Sequence, residues 1–545
     1  MPDARPDGLL RGIDAIAAGT ASQPPAELIN QALVVSGQVL DYCHADPDPA
    51  LAFFACRPVR QSTTIKQLRA LILLTLTCRT DKLNEHTLLH LVAATLLTLV
   101  TGHDNAREIH KKLRNTLRER GLTLWISILR LGKALSHPQG HQLLSKAGLR
   151  HFPQRVLSLC HLALVYDAVP PSACLRSYLN RARSDSYPLY SHWPLLPAGP
   201  LCGQVVHTID ERAGVVIAVR QCHLAVVYME DGRKSLCVWL ERSQVRSSQR
   251  PPVTFDKWLA LYAAHEDDLQ VEGTASLFPT TYPVHRPPVS LTSIIDALAS
   301  GDTDVGDISA LIDKEPAFSH FLLQSASHDN RMQLQVSSIK QAILTYGLER
   351  VGDMLVRHAL FNRLTQHHFP LEAVCAQFAT LMATIASCLA ELTVSRFTPQ
   401  SAALVATFYC APLFTLPGLK VYQRLPLAQA GYYDPNQFLQ VKQSERWQDL
   451  AGELASGWHQ SASWRAILHH AGKPAATVPA SLRREHCILQ LAFIWTRQWL
   501  YGEGKPSDEL NNILQGAQET LSVGVSEKNT IRHQVTDQLY CVLPR

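Results

Sequence analysis

The residues in this sequence whose types and spacing could do chemistry are two histidine pairs, a His-Asp dipeptide and a basic run. His469-His470 sets two imidazoles side by side, groups that ligate metals or move protons near neutrality. His103-Asp104 pairs an imidazole with a carboxylate, a combination that suits a divalent ion. It follows Gly102 and precedes Asn105-x-x-Glu108, a capping-box spacing, so capping and turn chemistry at a helix start is its simpler reading. His367-His368 stands just before Phe369-Pro370, where proline closes a helix. The basic run comprises Arg107, Lys111, Lys112, Arg114, Arg118 and Arg120, with Glu108 and Glu119 among them. Arg107, Lys111, Arg114 and Arg118 recur on one helical face. That face is either solvated or a surface for phosphate. No aromatic residues alternate with the cations, so single-stranded nucleic acid is not expected there.

Several chemistries lack their motif altogether. There is no phosphate-cradling G-x-x-x-x-G-K-[ST], no G-x-S-x-G elbow and no H-E-x-x-H pair. The 13 cysteines are scattered singly, without a C-x-x-C pair, and read as small buried hydrophobes in a reducing compartment. A net charge of +5 over 545 residues compels neither nucleic-acid nor membrane binding. Met1 to Gly19 carries Asp3, Arg5, Asp7, Arg11 and Asp14 and lacks a signal-peptide pattern. The apolar run Leu88 to Val100 falls short of the roughly 20 residues that span a bilayer. A cytoplasmic location without membrane insertion is the expectation.

The elements that must position these residues differ along the chain. From about Ala26 to Tyr190 the pattern is helical, with Leu68, Leu71, Leu74 and Leu76 near the helical period and Leu88, Leu91, Leu96 and Leu97 in the next helix. Between about Pro197 and Gln249 it turns to short β-branched runs. Val215 to Val219 and Leu224 to Tyr228 are followed by Glu230-Asp231-Gly232 and Leu236 to Leu240, the signature of an antiparallel hairpin. Phe255 to Glu266 reads as one short helix inside a linker. Leu277 to Pro288, with four prolines, reads as a stretch that orders little by itself. After Pro288 the helical pattern returns through Leu291, Ile294, Ile295 and Leu298.

Residues 287–541 resemble the HDOD family, helical output domains derived from HD phosphohydrolases. The resemblance is carried first by Val336 to Val351, which is similar to the family's paired helices around a central Gly-Leu, here Gly347-Leu348. Upstream, Ile312 to Phe318 and Leu322 to Ser327 occupy the places of two further family segments, with Ser327 replacing an asparagine. Downstream, Leu454 to Pro474, with Gly457-Trp458 and His469-His470, resembles the family's Trp and His-His segment. Where HD enzymes carry their His-Asp pair, this chain has Ala406 to Leu413, so that Cys410-Ala411 stands in its place. The resemblance thus implies a helical signalling domain whose metal-ligand set is lost.

The first half resembles the HD-GYP family of cyclic-dinucleotide phosphodiesterases, through Ala93 to Val100, His137-Pro138-Gln139-Gly140 and Pro197 to Pro200 with Gly214-Val215-Val216. Thr98-Leu99 stands for its His-Asp pair, and Cys160-His161-Leu162 for its later ligands.

The expected architecture is mainly α, with HD-like helical domains and a small antiparallel β module between them. The expected segments are a helical lead-in over 1–60, a degenerate HD-like domain over 61–190, the β module over 191–249, a linker with one short helix over 250–287, and an HDOD domain over 288–545. The resemblance implies a non-catalytic scaffold or regulator in bacterial signalling, with a kinase, a response regulator or a cyclic-dinucleotide enzyme as partner. No catalytic residue, cofactor or metal is expected. A binding sensor for a cyclic dinucleotide is the alternative, and a divergent metal-dependent phosphodiesterase a further one. The expected ligand or partner surface comprises Arg107, Lys111, Arg114, Arg118, His469 and His470.

Overall fold

Short polar residues and prolines set the helix boundaries along this chain. Asp46 caps the helix beginning at Pro47 by accepting from the Asp48 amide at 3.0 Å, and Ser338 and Ser461 cap later helices in the same way. Thr398 and Ser401 form a reciprocal capping box around Pro399, which sits at the first helical position where its missing N–H costs nothing. The computed structural model describes residues 6–57, 62–80, 82–101, 106–132, 201–220, 223–228, 236–248, 250–269, 281–300, 303–329, 336–428, 434–439, 446–502 and 508–539. Asn105 of the expected capping box, His103-Asp104, His137 to Gly140, Cys160 to Leu162, Pro197 to Pro200 and the turn Glu230 to Gly232 lie outside the described residues.

The described chain is mainly helical with one small antiparallel sheet, and it divides into two compact units. The first takes in residues 1–281 together with 368–370 and 420–423. Its helices are α1 (Asp7–Gly19), α2 (Pro25–Ala45), α3 (Pro47–Ala55), α4 (Thr63–Thr80), α5 (Glu85–Thr101), α6 (Ala106–Glu119), α7 (Thr123–Leu131) and, after the sheet, α8 (Phe255–Ala264). The sheet consists of β1 (Val205–Thr208), β2 (Ala213–Arg220), β3 (His223–Tyr228), β4 (Cys237–Glu241) and β5 (Val245–Ser247), in the order β4-β3-β2-β1-β5.

Central strand β2 is buried throughout Val215 to Val219, as a continuous β-branched run predicts. Its register with β3 shifts between Val216 and Ala218, leaving Ile217 as the extra residue of a bulge. One continuous apolar core joins α1–α7, the sheet and α8, with Leu71, Leu96, Trp125, Val216 and Trp258 all inside it. Helix α8 was expected to be an isolated linker element. It is instead a core element, because Phe255, Trp258 and Tyr262 stack along one face at 5.8 and 4.7 Å and Trp258 is fully buried.

Two short pieces from far along the chain complete this unit. The Asn84 amide donates to the His368 carbonyl at 2.8 Å, and the His368 amide to the Lys82 carbonyl at 2.9 Å. Thr87 Oγ1 donates to the Lys420 carbonyl at 3.0 Å, and Ser127 Oγ to Gln423 Oε1 at 3.0 Å.

The second unit is helical: α9 (Val289–Ala299), α10 (Val305–Asp313), α11 (Pro316–Asp329), α12 (Ile339–Tyr346), α13 (Leu348–Leu364), α14 (Glu372–Leu392), α15 (Pro399–Cys410), α16 (Trp447–Gly457), α17 (Ala462–His469), α18 (Arg483–Tyr501), α19 (Asp508–Leu521) and α20 (Val525–Leu539). Helices α12 and α13 meet at Gly347, whose φ of +83° lies in the region that side chains disfavour. Helix α14 packs against α15, α18 and α20. It is long and apolar enough to cross a membrane by length and composition, yet most of it is buried inside the unit. Residues Tyr282 to Pro288, expected to order little, lie against α13 and α16 in defined hydrogen bonds, which corrects that expectation.

Candidate functional site

In the second unit, the place that the resemblance gives to a His-Asp pair is the C-terminal end of α15. Cys410 and Ala411 are both buried there, and Cys410 Sγ lies 3.3 Å from Met382 Sδ on α14. Burial pushes the Cys410 thiol well above its ordinary value, so it stays a neutral packing group. The preceding residue, Tyr409, lies 5.6 Å from Phe493, which forms a ring cluster with Phe378 and Phe438 at centroid distances of 5.3–5.7 Å. The Trp447 indole N–H donates to the Tyr409 carbonyl at 2.7 Å. Sulfur groups, Met382 and the nearby Cys375, meet Cys410 here, and the Asp434 carboxylate lies close enough to act on the adjacent Tyr409.

The His-His segment ends α17 and leads into a clasped loop. His469 is exposed and His470 half-buried, with ring centroids 5.7 Å apart. His470 Nδ1 lies 3.5 Å from Lys473 Nζ. Partial burial, then Lys473 and His469, hold its pKa below the usual imidazole value. The loop carbonyls are held from outside: Gln448 donates to that of Ala471 at 2.8 Å, and His486 Nε2 to that of Lys473 at 2.9 Å. His486 is buried and lowered to about 4, chiefly by burial, so it is neutral at pH 7 and acts as a hydrogen-bond post.

The basic face is on α6 in the first unit. Leu113 and Leu117 are buried, while Lys111, Lys112 and Arg118 are exposed and Arg114 is half-buried with its Nε donating to the His110 carbonyl at 3.1 Å. Arg120 donates to Asn30 Oδ1 at 3.1 Å. The side chain of Arg107 lies outside the described residues. Lys111, Arg114 and Arg118 thus share one helix, whereas His469 and His470 belong to the other unit. On α5, Thr98 donates to its own helix at the Ala94 carbonyl (2.7 Å), and Gln67 donates to the carbonyl of Leu99.

Three perturbed groups escape a reading of the sequence. Asp48 is fully buried, accepting from Arg220 Nη1 at 2.6 Å and from the Val219 amide at 3.2 Å. Burial pushes its carboxyl up to about 6 against the pull of Arg220. Beside it the Tyr262 hydroxyl donates to Asp46 at 2.5 Å, so α3, β2 and α8 meet at one polar joint. His90 accepts the Trp125 indole N–H at 3.0 Å and is lowered to about 3 by burial and then by His86, whose ring is 4.5 Å away. On α13, Asp353 is raised to about 7 by burial and then by Glu349 one turn earlier, and its Oδ2 is buried without a hydrogen bond. The only sequence signal for these was the like-charged i,i+4 spacing of Glu349 and Asp353. Among the described residues, no three His, Cys, Asp or Glu side chains converge as a set of metal ligands.

No protein-family profile matches the chain, and no curated protein matches it. Among solved structures, it is similar to an HDOD domain protein of unknown function from Geobacter sulfurreducens, at 15% identity and a TM-score of 0.34, over 52% of this chain and 95% of that one. It is also similar to the MmoQ response regulator from Methylococcus capsulatus str. Bath, at 16% identity and a TM-score of 0.25, over 44% of this chain and 94% of that one. Scores at this level leave the functional reading to the residues themselves.

Proposed function

We propose that this protein is a non-catalytic scaffold or regulator of the HDOD type in bacterial signal transduction. The observation that supports the reading is the burial of Cys410-Ala411, with Met382 sulfur against the Cys410 thiol, where the resemblance expects a His-Asp pair. A fold of that kind retains helical surface for a partner after its ligand set is gone. The partner is a kinase, a response regulator or a cyclic-dinucleotide enzyme. Affinity capture of the tagged full-length chain from its native cells, with His469→Ala/His470→Ala as control, should recover such a protein reproducibly. Stoichiometric transition metal in the purified protein, together with chelator-sensitive hydrolysis of a cyclic dinucleotide, would overturn the reading in favour of a phosphodiesterase.

One observation favours a second reading, a cyclic-dinucleotide sensor: α6 presents Lys111, Lys112 and Arg118 to solvent on one short helix. Binding without turnover, weakened by charge reversal at Arg107 or Arg114, is its expected signature.

A further inference from the structure

Residues Tyr282 to Pro288 form a strap on the second unit, and the side-chain hydrogen bonds that hold it fall on its backbone atoms. The side-chain amide of Gln366 makes two bonds to one residue, accepting from the Tyr282 amide at 3.0 Å and donating to the Tyr282 carbonyl at 2.7 Å. Arg363 Nη1 donates to the Pro283 carbonyl at 2.8 Å, and its guanidinium lies over the Tyr282 ring at 4.9 Å from the centroid. The Trp458 indole N–H donates to the Val284 carbonyl at 2.8 Å. Gly457 completes the seat, since a Cβ there would overlap the His285 carbonyl oxygen. Three side chains from the end of α13 and the end of α16 thus read successive main-chain groups, and Gly457 leaves room for the next.

The strap itself has the composition of a peptide ligand. Pro283, Pro287 and Pro288 carry no N–H, so they leave no donor unsatisfied on an exposed surface. Its side chains point largely to water: Tyr282 is 56% exposed, and Pro283, His285 and Arg286 are exposed as well. An indole N–H on a carbonyl beside proline, with an adjacent aromatic or guanidinium plane, is how proline-rich chains are held elsewhere. Bonds of this kind contribute little net stability, because water competes for them and the ordered residues lose conformational freedom.

From this geometry we infer that Arg363, Gln366, Gly457 and Trp458 form a docking groove for a proline-containing peptide, filled in cis by Tyr282–Pro288 and open to a like segment of a partner protein when the strap lifts. The groove deepens the scaffold reading by giving the chemistry of a partner's segment, and it is testable with no partner in hand. The probe is the heptapeptide Tyr-Pro-Val-His-Arg-Pro-Pro, blocked at both ends. It is titrated against the full-length chain and against a full-length variant whose residues 282–288 are replaced by glycine and serine. Saturable binding at least tenfold tighter to the replaced chain is expected, with at least a fivefold loss when Trp458→Phe is added. No saturable binding to a replaced chain that keeps its native circular dichroism would overturn the inference. Hydrogen exchange on Gln366→Ala in the otherwise native chain gives an independent measure, valid even if the replaced chain fails to fold. The Tyr282 amide should exchange at least tenfold faster with the rest of the second unit unchanged. An unchanged Tyr282 rate, or loss of protection throughout the unit, would show that the strap is part of the core and not a docked segment. An empty affinity capture alongside peptide binding would count against the scaffold reading and leave the groove standing.

Discussion

The ion pair of Asp48 and Arg220 shows how much one buried contact can govern. Asp48 has no exposed side-chain surface, so truncating Arg220 strands a carboxylate among apolar neighbours. Arg220→Met should destabilise the first unit by about 3–5 kcal/mol, and Arg220→Met with Asp48→Asn should recover much of that loss in urea unfolding. The pH dependence has a definite sign. Folded Asp48 holds its proton up to about 6, above the ordinary carboxylate value, so the unfolded chain releases it first. Its contribution is therefore fully present at low pH and is lost as pH rises through about 6. Asp353, raised to about 7, behaves alike. His90 and His486, lowered to about 3 and about 4, act the other way, and stability falls as pH drops below the free imidazole value. Between pH 4 and 7 the net slope of the unfolding midpoint against rising pH should thus shift upward in Asp353→Asn and downward in His486→Gln, each relative to the unsubstituted chain. His90→Phe leaves the Trp125 indole N–H without its acceptor and should cost about 1–3 kcal/mol.

At the scale of elements, the junction of α12 and α13 is the sharpest test of local geometry. Gly347 has φ near +83° and open space around it, so alanine there meets no atom and suffers only the backbone penalty. Gly347→Ala should cost about 1–3 kcal/mol in thermal or urea unfolding, and Ser338→Ala, which removes the cap of α12, about 0.5–2 kcal/mol. Both features were legible in the sequence, because a serine three residues before a helix donor and a glycine between apolar periods are local signals. The central strand Val215 to Val219 was legible for the same reason. The strap and the Asp48 joint were not. Tyr282 finds its partner at Gln366, Val284 at Trp458, and Asp48 at Arg220, across distances that periodicity does not span. Proline content alone marked Leu277 to Pro288 as a passive connector, while the carbonyls of Tyr282, Pro283 and Val284 are what their neighbours bind.

On the whole-molecule scale, charge is the property that sorts the competing functions. The net excess of +5 is small, but α6 concentrates it. If the sensor reading holds, affinity for a cyclic dinucleotide should fall steeply with added salt and drop at least tenfold in Lys111→Glu/Arg118→Glu, as isothermal titration would register. A salt-independent, charge-independent affinity would instead place any nucleotide elsewhere. The histidine pair and the basic face stood out in the sequence by residue type, and the structure assigns them to different units, so no single composite surface follows from them. What the sequence offered at Cys410-Ala411 was an expectation carried by resemblance. The packing there, with Met382 on Cys410 and Phe493 on Tyr409, emerges only when α14, α15 and α18 are brought together.

The first unit has a consequence for synthesis. Its helices, sheet and α8 have all left the ribosome soon after residue 281, yet the partners of Asn84, Thr87 and Ser127 are His368, Lys420 and Gln423. At elongation speeds of about 5–20 residues per second, the nascent chain waits roughly 7–30 seconds with those groups open to water or to chaperones. Translation stalled near residue 300 should therefore yield a first unit more sensitive to protease than the same residues released from the finished chain.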